Sequence, residues 1–160
     1  MKKLLTLLIA AFAIVSINVS ATTAKLYKAS AETGVFLNGN EAIIVHCNFE
    51  ITGSIGKPST LCVFIKDSAG NWHKVNSQYV TKTGIPFFKK PIEQRLDFYE
   101  YADFPLPIYV KDLALSPGVN TYQIIATILD HDGNIIAGCE GSTFIANGQS
   151  VSIKPKDNEQ

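Results

Sequence analysis

Between positions 43 and 51 the chain alternates with a period of two. Ile43, Val45, Cys47, Phe49 and Ile51 form one series, with Ile44, His46, Asn48 and Glu50 between them. Successive side chains of a strand point to opposite faces, so this run predicts a β-strand with one face buried. The pattern recurs. Leu61, Val63 and Ile65 alternate with Cys62, Phe64 and Lys66, and Tyr122, Ile124, Ala126 and Ile128 make a third inward series. Residues 136–145 suggest a looser fourth strand, weakened by Gly138 and Gly141. Shorter strands are expected at 34–37, 72–75 and 106–110. Helical spacing is confined to 91–101, where Ile92, Leu96 and Tyr99 predict one short turn of helix.

Turn chemistry separates these runs. Ile65-Lys66-Asp67-Ser68-Ala69-Gly70-Asn71-Trp72 aligns with Ile128-Leu129-Asp130-His131-Asp132-Gly133-Asn134-Ile135. Asp accepts hydrogen bonds from backbone amides inside a tight turn, and Gly supplies the positive φ that closes a hairpin. Ser116-Pro117-Gly118 predicts a tight crossover between sheets. Many short strands separated by such turns predict an all-β, immunoglobulin-like antiparallel β-sandwich. The sandwich is expected over residues 31–146, after a polar lead-in at 22–30 and before a flexible tail at 147–160.

The first 21 residues bear on location. Met1-Lys2-Lys3 is cationic, residues 4–17 are almost wholly apolar, and Val19-Ser20-Ala21 places compact residues where a signal peptidase reads. That order predicts a secretory signal peptide at residues 1–21 and a secreted or periplasmic protein. No later stretch approaches the ~20 apolar residues of a spanning helix, so no stable membrane span is expected in the mature chain. Cleavage after Ala21 takes the 160 residues to 139, enough for one domain with a core of its own. Losing Lys2 and Lys3 takes the 14 basic residues to 12 against 14 acidic ones, a formal charge of −2. Nucleic acid is therefore not an expected partner, because phosphate binding needs a concentrated basic field.

Three cysteines, Cys47, Cys62 and Cys139, cannot all pair within one chain. One disulfide with a free thiol and three buried thiols both fit the count, the second being the commoner use of cysteine. Their spacing matches no zinc pattern. Asp130-His131-Asp132-Gly133-Asn134 opens like a calcium loop, but where the later acidic ligand is expected residues 137–140 offer only Glu140, which lies on an expected strand. Hairpin chemistry accounts for this turn and for its Asp67 counterpart, so no metal or other cofactor is expected.

The histidines are His46, His73 and His131, and the chain has no G-x-S-x-G elbow. His46 and Cys47 are neighbours on one strand and face opposite ways, which rules them out as a nucleophile–base pair. No catalytic residue is assigned, and the chain is not expected to be an enzyme. Glu93, Asp97, Glu100 and Asp103 lie among Phe98, Tyr99, Tyr101 and Phe104. Carboxylates among aromatics suit a sugar site or a small hydrolase, though a surface connection pinned by aromatic anchors is the plainer reading. In Pro86-Phe87-Phe88-Lys89-Lys90-Pro91 the two adjacent aromatics cannot both face a core in an extended segment.

Several of these motifs, taken in order, resemble a β-sandwich domain common in Bacteroidetes proteins. They are His46-Cys47-x-Phe49, Gly56-Lys57, Cys62-Val63-Phe64, Asp67-x-x-Gly70-Asn71, Tyr79-x-Thr81, Tyr101-x-Asp103-Phe104-x-Leu106, Leu113-x-Leu115-x-x-Gly118, and Ile136-Ala137 with Phe144. The resemblance spans about 34–144. In that family the domain often follows tetratricopeptide repeats, zinc ribbons or caspase-like domains, and no catalytic residues are assigned to it. The resemblance thus implies the fold and carries over no site. This chain departs from the pattern at Tyr109-Val110, where a Pro-Tyr pair is usual, and at Gly141, near which Trp is frequent.

The expected function is therefore a non-catalytic module binding an envelope or extracellular protein, through a sheet edge or the Phe87-Phe88 loop. A glycan-binding module using Tyr99, Tyr101 and Trp72 is the alternative. The candidate binding residues are Phe87, Phe88, Tyr99, Tyr101 and Trp72.

Overall fold

A computed structural model describes residues 21–73, 85, 87–148 and 150–153. The expected signal peptide lies outside the described residues except for Ala21, as do Tyr79 and Thr81 of the motif series. Among the described residues are eight strands: β1 (Thr23–Leu37), β2 (Asn40–Thr52), β3 (Ser59–Asp67), β4 (Phe88–Ile92), β5 (Phe98–Tyr109), β6 (Val119–Leu129), β7 (Ile135–Asn147) and β8 (Ser150–Ile153). One sheet has the order β1-β2-β5 and the other β4-β3-β6-β7-β8. Every neighbouring pair is antiparallel. This is an immunoglobulin-like antiparallel β-sandwich.

The alternating residues do what the pattern demands. Ile43, Val45, Cys47, Phe49 and Ile51 of β2 face Leu61, Val63 and Ile65 of β3 and Ile124, Ala126 and Ile128 of β6, and all are buried in one core. The Asp turns form as expected. Asp67 Oδ1 accepts the amides of Ala69 and Asn71, and Asp130 Oδ1 accepts those of Asp132 and Asn134, at 2.8–2.9 Å. The Asn71 and Asn134 side chains donate to the second oxygens. These bonds hold both carboxyls below the usual carboxylate range, so the turns favour the fold above that range and lose this contribution as pH falls through it. The bonding also explains the calcium-like spelling of the 130–134 turn: both Asp130 oxygens serve the hairpin.

Three expectations need correction. The polar lead-in is strand, because β1 begins at Thr23. Its inward positions include the small residues Ala29 and Ala31, which are buried yet add little to an apolar pattern. The helical turn at 91–101 is absent. Ile92 closes β4 and is fully buried, Leu96 sits on a loop at 59 % exposure, and Tyr99 lies in β5. Their helical spacing is coincidental, and Pro91 suits an edge strand. The tail is not wholly frayed either. Gly148, at φ 65°, closes a hairpin that pairs β8 with β7 and buries Val151. Of the strand expected at 72–75, residues 74 and 75 lie outside the described residues, and Trp72 forms a bridge with Lys66.

The three cysteines are free thiols, Cys47 and Cys62 buried and Cys139 half-buried. Burial, with the neighbouring Cys139 and Asp103, pushes the Cys47 thiol up to about 12. Burial likewise pushes Cys62 up to about 11, against the pull of Lys89. A thiol held that far from its reactive anion behaves as a small apolar side chain. Iodoacetamide at pH 8 is thus expected to leave Cys47 and Cys62 unmodified in the native protein and to label both in denaturant. Mass spectrometry of the labelled peptides reads the outcome, and native-state labelling of either one would contradict this burial.

Candidate functional site

The five candidate residues do not share one surface. Strand alternation divides Phe87 from Phe88: Phe88 is buried in the core, and Phe87 is half-buried on the outer face of the five-stranded sheet. There Phe87 lies 6.4 Å from Phe64, which lies 5.6 Å from Trp72. Lys66 Nζ stands 4.8 Å from the Trp72 ring and Lys89 Nζ 5.9 Å from that of Phe87. The Phe64–Trp72 planes are inclined by 57°, so this row is no flat platform. Two of its three rings already carry an intramolecular cation.

Tyr99 and Tyr101 lie instead on β5, in the three-stranded sheet. They form one wall of a groove of about 340 Å³, completed by Glu93, Arg95 and Leu96 from the β4–β5 loop. Their rings are 4.6 Å apart and inclined by 47°. Tyr101 leans inward onto Phe49 at 4.7 Å, while Tyr99 remains 43 % exposed. Three hydrogen bonds brace the loop. Buried Gln94 donates through Nε2 to the Ile51 carbonyl, the Gly53 amide donates to the Asp97 carbonyl, and the Tyr101 hydroxyl donates to the Glu93 carbonyl. The braced loop nevertheless holds Leu96 out in solvent. Beside the groove, Ser54, Gly56, Lys57, Pro58, Glu93 and Gln94 line a second hollow of about 250 Å³. Ser54 Oγ and Gln94 Oε1 are buried there without a hydrogen-bond partner among the described residues. Ile55, on that neighbouring loop, is 53 % exposed.

The sheet edges are less inviting. β5 carries Pro105 and Pro107, and β4 carries Pro91, so neither edge offers an uninterrupted row of amides. Lys90 closes the seam between them, with Nζ 2.6 Å from the Pro105 carbonyl and 4.3 Å from the Phe104 ring centre. On the opposite side of the sandwich, the Ala31 amide of edge strand β1 donates to Ser142 Oγ of β7 at 2.7 Å.

A polar cluster that sequence reasoning missed occupies the outer face of the three-stranded sheet. His46, on central strand β2, meets Asp103 Oδ1 of β5 through Nδ1 at 2.8 Å and Glu32 Oε2 of β1 through Nε2 at 2.9 Å. Burial lowers the affinity of the imidazole for a proton, but the hydrogen bonds and charges of Asp103 and Glu32 outweigh it and raise the pKa above the ordinary value. The three residues are 14 and 57 positions apart, and no local spacing could have joined them. With its two nitrogens engaged by carboxylates and no nucleophile on either, the cluster does not form a hydrolase triad. Buried His73 meets the Leu113 carbonyl through Nε2 and packs edge-on to Tyr122. Among the described residues no group of three or more His, Cys, Asp or Glu side chains is placed to hold a metal ion, and no helix is long and apolar enough to cross a membrane.

No family model and no curated protein matches the chain. Among solved structures it is similar to a β-glucuronidase of Bacteroides uniformis, with a TM-score of 0.42 and 10 % identity over 79 % of this chain and 14 % of that one. It is also similar to Bacteroides uniformis β-glucuronidase 2 covalently bound to cyclophellitol-6-carboxylate aziridine (TM-score 0.40, 12 % identity, 79 % of this chain, 14 % of that chain). A third similar structure is Bifidobacterium dentium β-glucuronidase complexed with coumarin-3-O-glucuronide (TM-score 0.34, 16 % identity, 76 % of this chain). The chain spans 14–18 % of the length of these three enzymes.

Proposed function

We propose that this domain is a non-catalytic protein-binding module of the cell envelope, exported by its N-terminal segment, and that it meets its partner at the groove of Leu96, Tyr99 and Tyr101. The observation that carries the reading is a loop braced by three hydrogen bonds that still presents a large apolar side chain to water. A pre-ordered loop loses little conformational freedom on binding, and an exposed leucine beside a tyrosine gains by being covered. The inclination between Tyr99 and Tyr101 speaks against the alternative, a flat stacking surface for sugar rings.

A photo-crosslinking residue at position 96, in cells producing the full chain, tests this. The expected result is a discrete protein adduct, absent when the probe sits at Glu140 on the other sheet and lost on adding Tyr99→Ala. With that partner purified, Leu96→Asp is expected to weaken binding at least ~10-fold, about 1.4 kcal/mol. Equal labelling from both positions, or retention on a glycan array with no protein adduct, would refute the proposal.

A further inference from the structure

The pairing of β5 with β2 slips by one residue beside His46. Cys47 opposes Phe104 and Phe49 opposes Tyr101, so Ala102 and Asp103 together face Asn48 in a β-bulge. A second slip lies on the other flank: Glu32 opposes Ile44 and Val35 opposes Ala42, which leaves Thr33 and Gly34, at φ 74°, in a bulge of β1. His46 is bonded to an acidic residue at each slip. Bulges re-aim the residues around them, and Asp103 is two positions from Tyr101, a wall of the groove.

We propose that His46 is a proton-operated clasp that holds the β5 bulge, and with it the Tyr99–Tyr101 wall, in the geometry seen here. The argument is one of donor count. An imidazolium has two N–H groups and can serve Asp103 and Glu32 together, whereas a neutral imidazole has one and must give up a carboxylate. Released, the Asp103 side chain gives up its bond to β2, while the bulge retains the 3.4 Å contact from Asn48 Nδ2 to the Ala102 carbonyl. The charged groups on this face are Glu32 and Lys28 on β1, Asp103 and Glu100 on β5, and Glu50 on β2 itself, which is bonded to Lys25 at 3.0 Å. Burial opposes protonation of His46, and Asp103 and Glu32 favour it. The raised His46 pKa agrees with the carboxylates prevailing. Because the folded value lies above the ordinary histidine value of ~6.5, the stabilising contribution of the clasp is complete below ~6.5 and is lost as pH rises through the folded value.

This inference rests on the groove reading only for its biological use; its physical content is tested without any partner. Isotope-labelled protein is titrated from pH 5 to 9 by NMR, following the His46 ring, the Glu32 and Asp103 carboxyl carbons and the Tyr99 and Tyr101 ring signals. Burial raises the Tyr101 phenol above its ordinary pKa, so a shift in its signals over this range does not report its own ionisation. The expected result is that Tyr101 signals follow the His46 midpoint, that this midpoint falls in Asp103→Asn and in Glu32→Gln, and that Asp103→Asn abolishes the Tyr101 response. Should Asp103→Asn fail to fold, Glu32→Gln and the wild-type titration still decide. Tyrosine signals that ignore the His46 titration overturn the clasp and leave the groove proposal standing. A tracking titration in a protein with no adduct at position 96 does the reverse.

Discussion

Phe49→Ala is expected to lower the unfolding free energy by about 3–5 kcal/mol, the usual range for truncating a buried aromatic. Phe49 is fully buried on the central strand of its sheet. Its ring stacks on Tyr101 at 4.7 Å and meets Phe104 edge-on at 5.5 Å. Two aromatic contacts of ~0.5–1.5 kcal/mol each are lost beyond the transfer of the ring itself. The surroundings are poorly able to close the gap, because Tyr101 is tethered through its hydroxyl to Glu93 and both partner rings sit beside the β5 bulge. A midpoint drop of roughly 10–20 °C follows for a domain of this size, read by thermal and urea unfolding. Phe49→Leu, which keeps most of the volume, should cost clearly less. A loss below about 1 kcal/mol for the alanine variant would mean that this part of the sandwich is loosely packed. The groove would then lack the rigid backing that the proposed function gives it.

The inward face of β2 was legible in the sequence for a simple reason: each inward position is apolar, and the intervening residues are mostly polar. The inward series of β3 and β6 are likewise apolar, although Cys62, Phe64 and Ile125 blur the contrast. β1 was not legible over its first half, because its inward positions there include the small Ala24 and Ala29 and a register slip between Leu26 and Lys28 breaks the alternation. Ala29 and Ala31 carry burial without carrying hydrophobic signal. The 91–101 segment failed differently. Ile92, Leu96 and Tyr99 match a helical period, yet one ends a strand in one sheet, the next tops a loop and the third begins a strand in the other. The candidate site was half legible. Tyr99 and Tyr101 could be singled out as aromatics among carboxylates. That Leu96 would stand exposed beside them depends on three hydrogen bonds, two of them long-range, that no local pattern encodes. The His46 cluster lay beyond reach for the same reason, since its partners arrive from the two flanking strands.

Gly141→Ala is expected to destabilise the protein by about 1–3 kcal/mol, although the same change often stabilises elsewhere. Replacing glycine by alanine restricts the unfolded chain and typically gains ~0.4–1 kcal/mol where the native conformation tolerates a side chain. The backbone at Gly141 has no positive φ, so conformation alone would allow the change. Space does not. A Cβ there would lie 2.8 Å from the Ala29 carbonyl oxygen, 3.1 Å from Ala29 Cβ and 3.1 Å from Ile124 Cγ2. The closest of these atoms is backbone, in a strand paired with β2 along most of its length, so relief requires β1 and β7 to separate. Overpacking of that kind costs more than the unfolded-state gain returns. Gly138 supplies the control within the same strand. Its Cβ would meet the Ala126 carbonyl at 3.4 Å and Thr127 Cγ2 at 3.5 Å, which are ordinary contacts, so Gly138→Ala should be neutral or slightly stabilising. A chain that brings Ala29 this close to Gly141 has room for hydrogen alone at that position. Urea denaturation of the two alanine variants decides the matter. Equal stabilities for Gly138→Ala and Gly141→Ala would show that β1 does not approach β7 as closely as described.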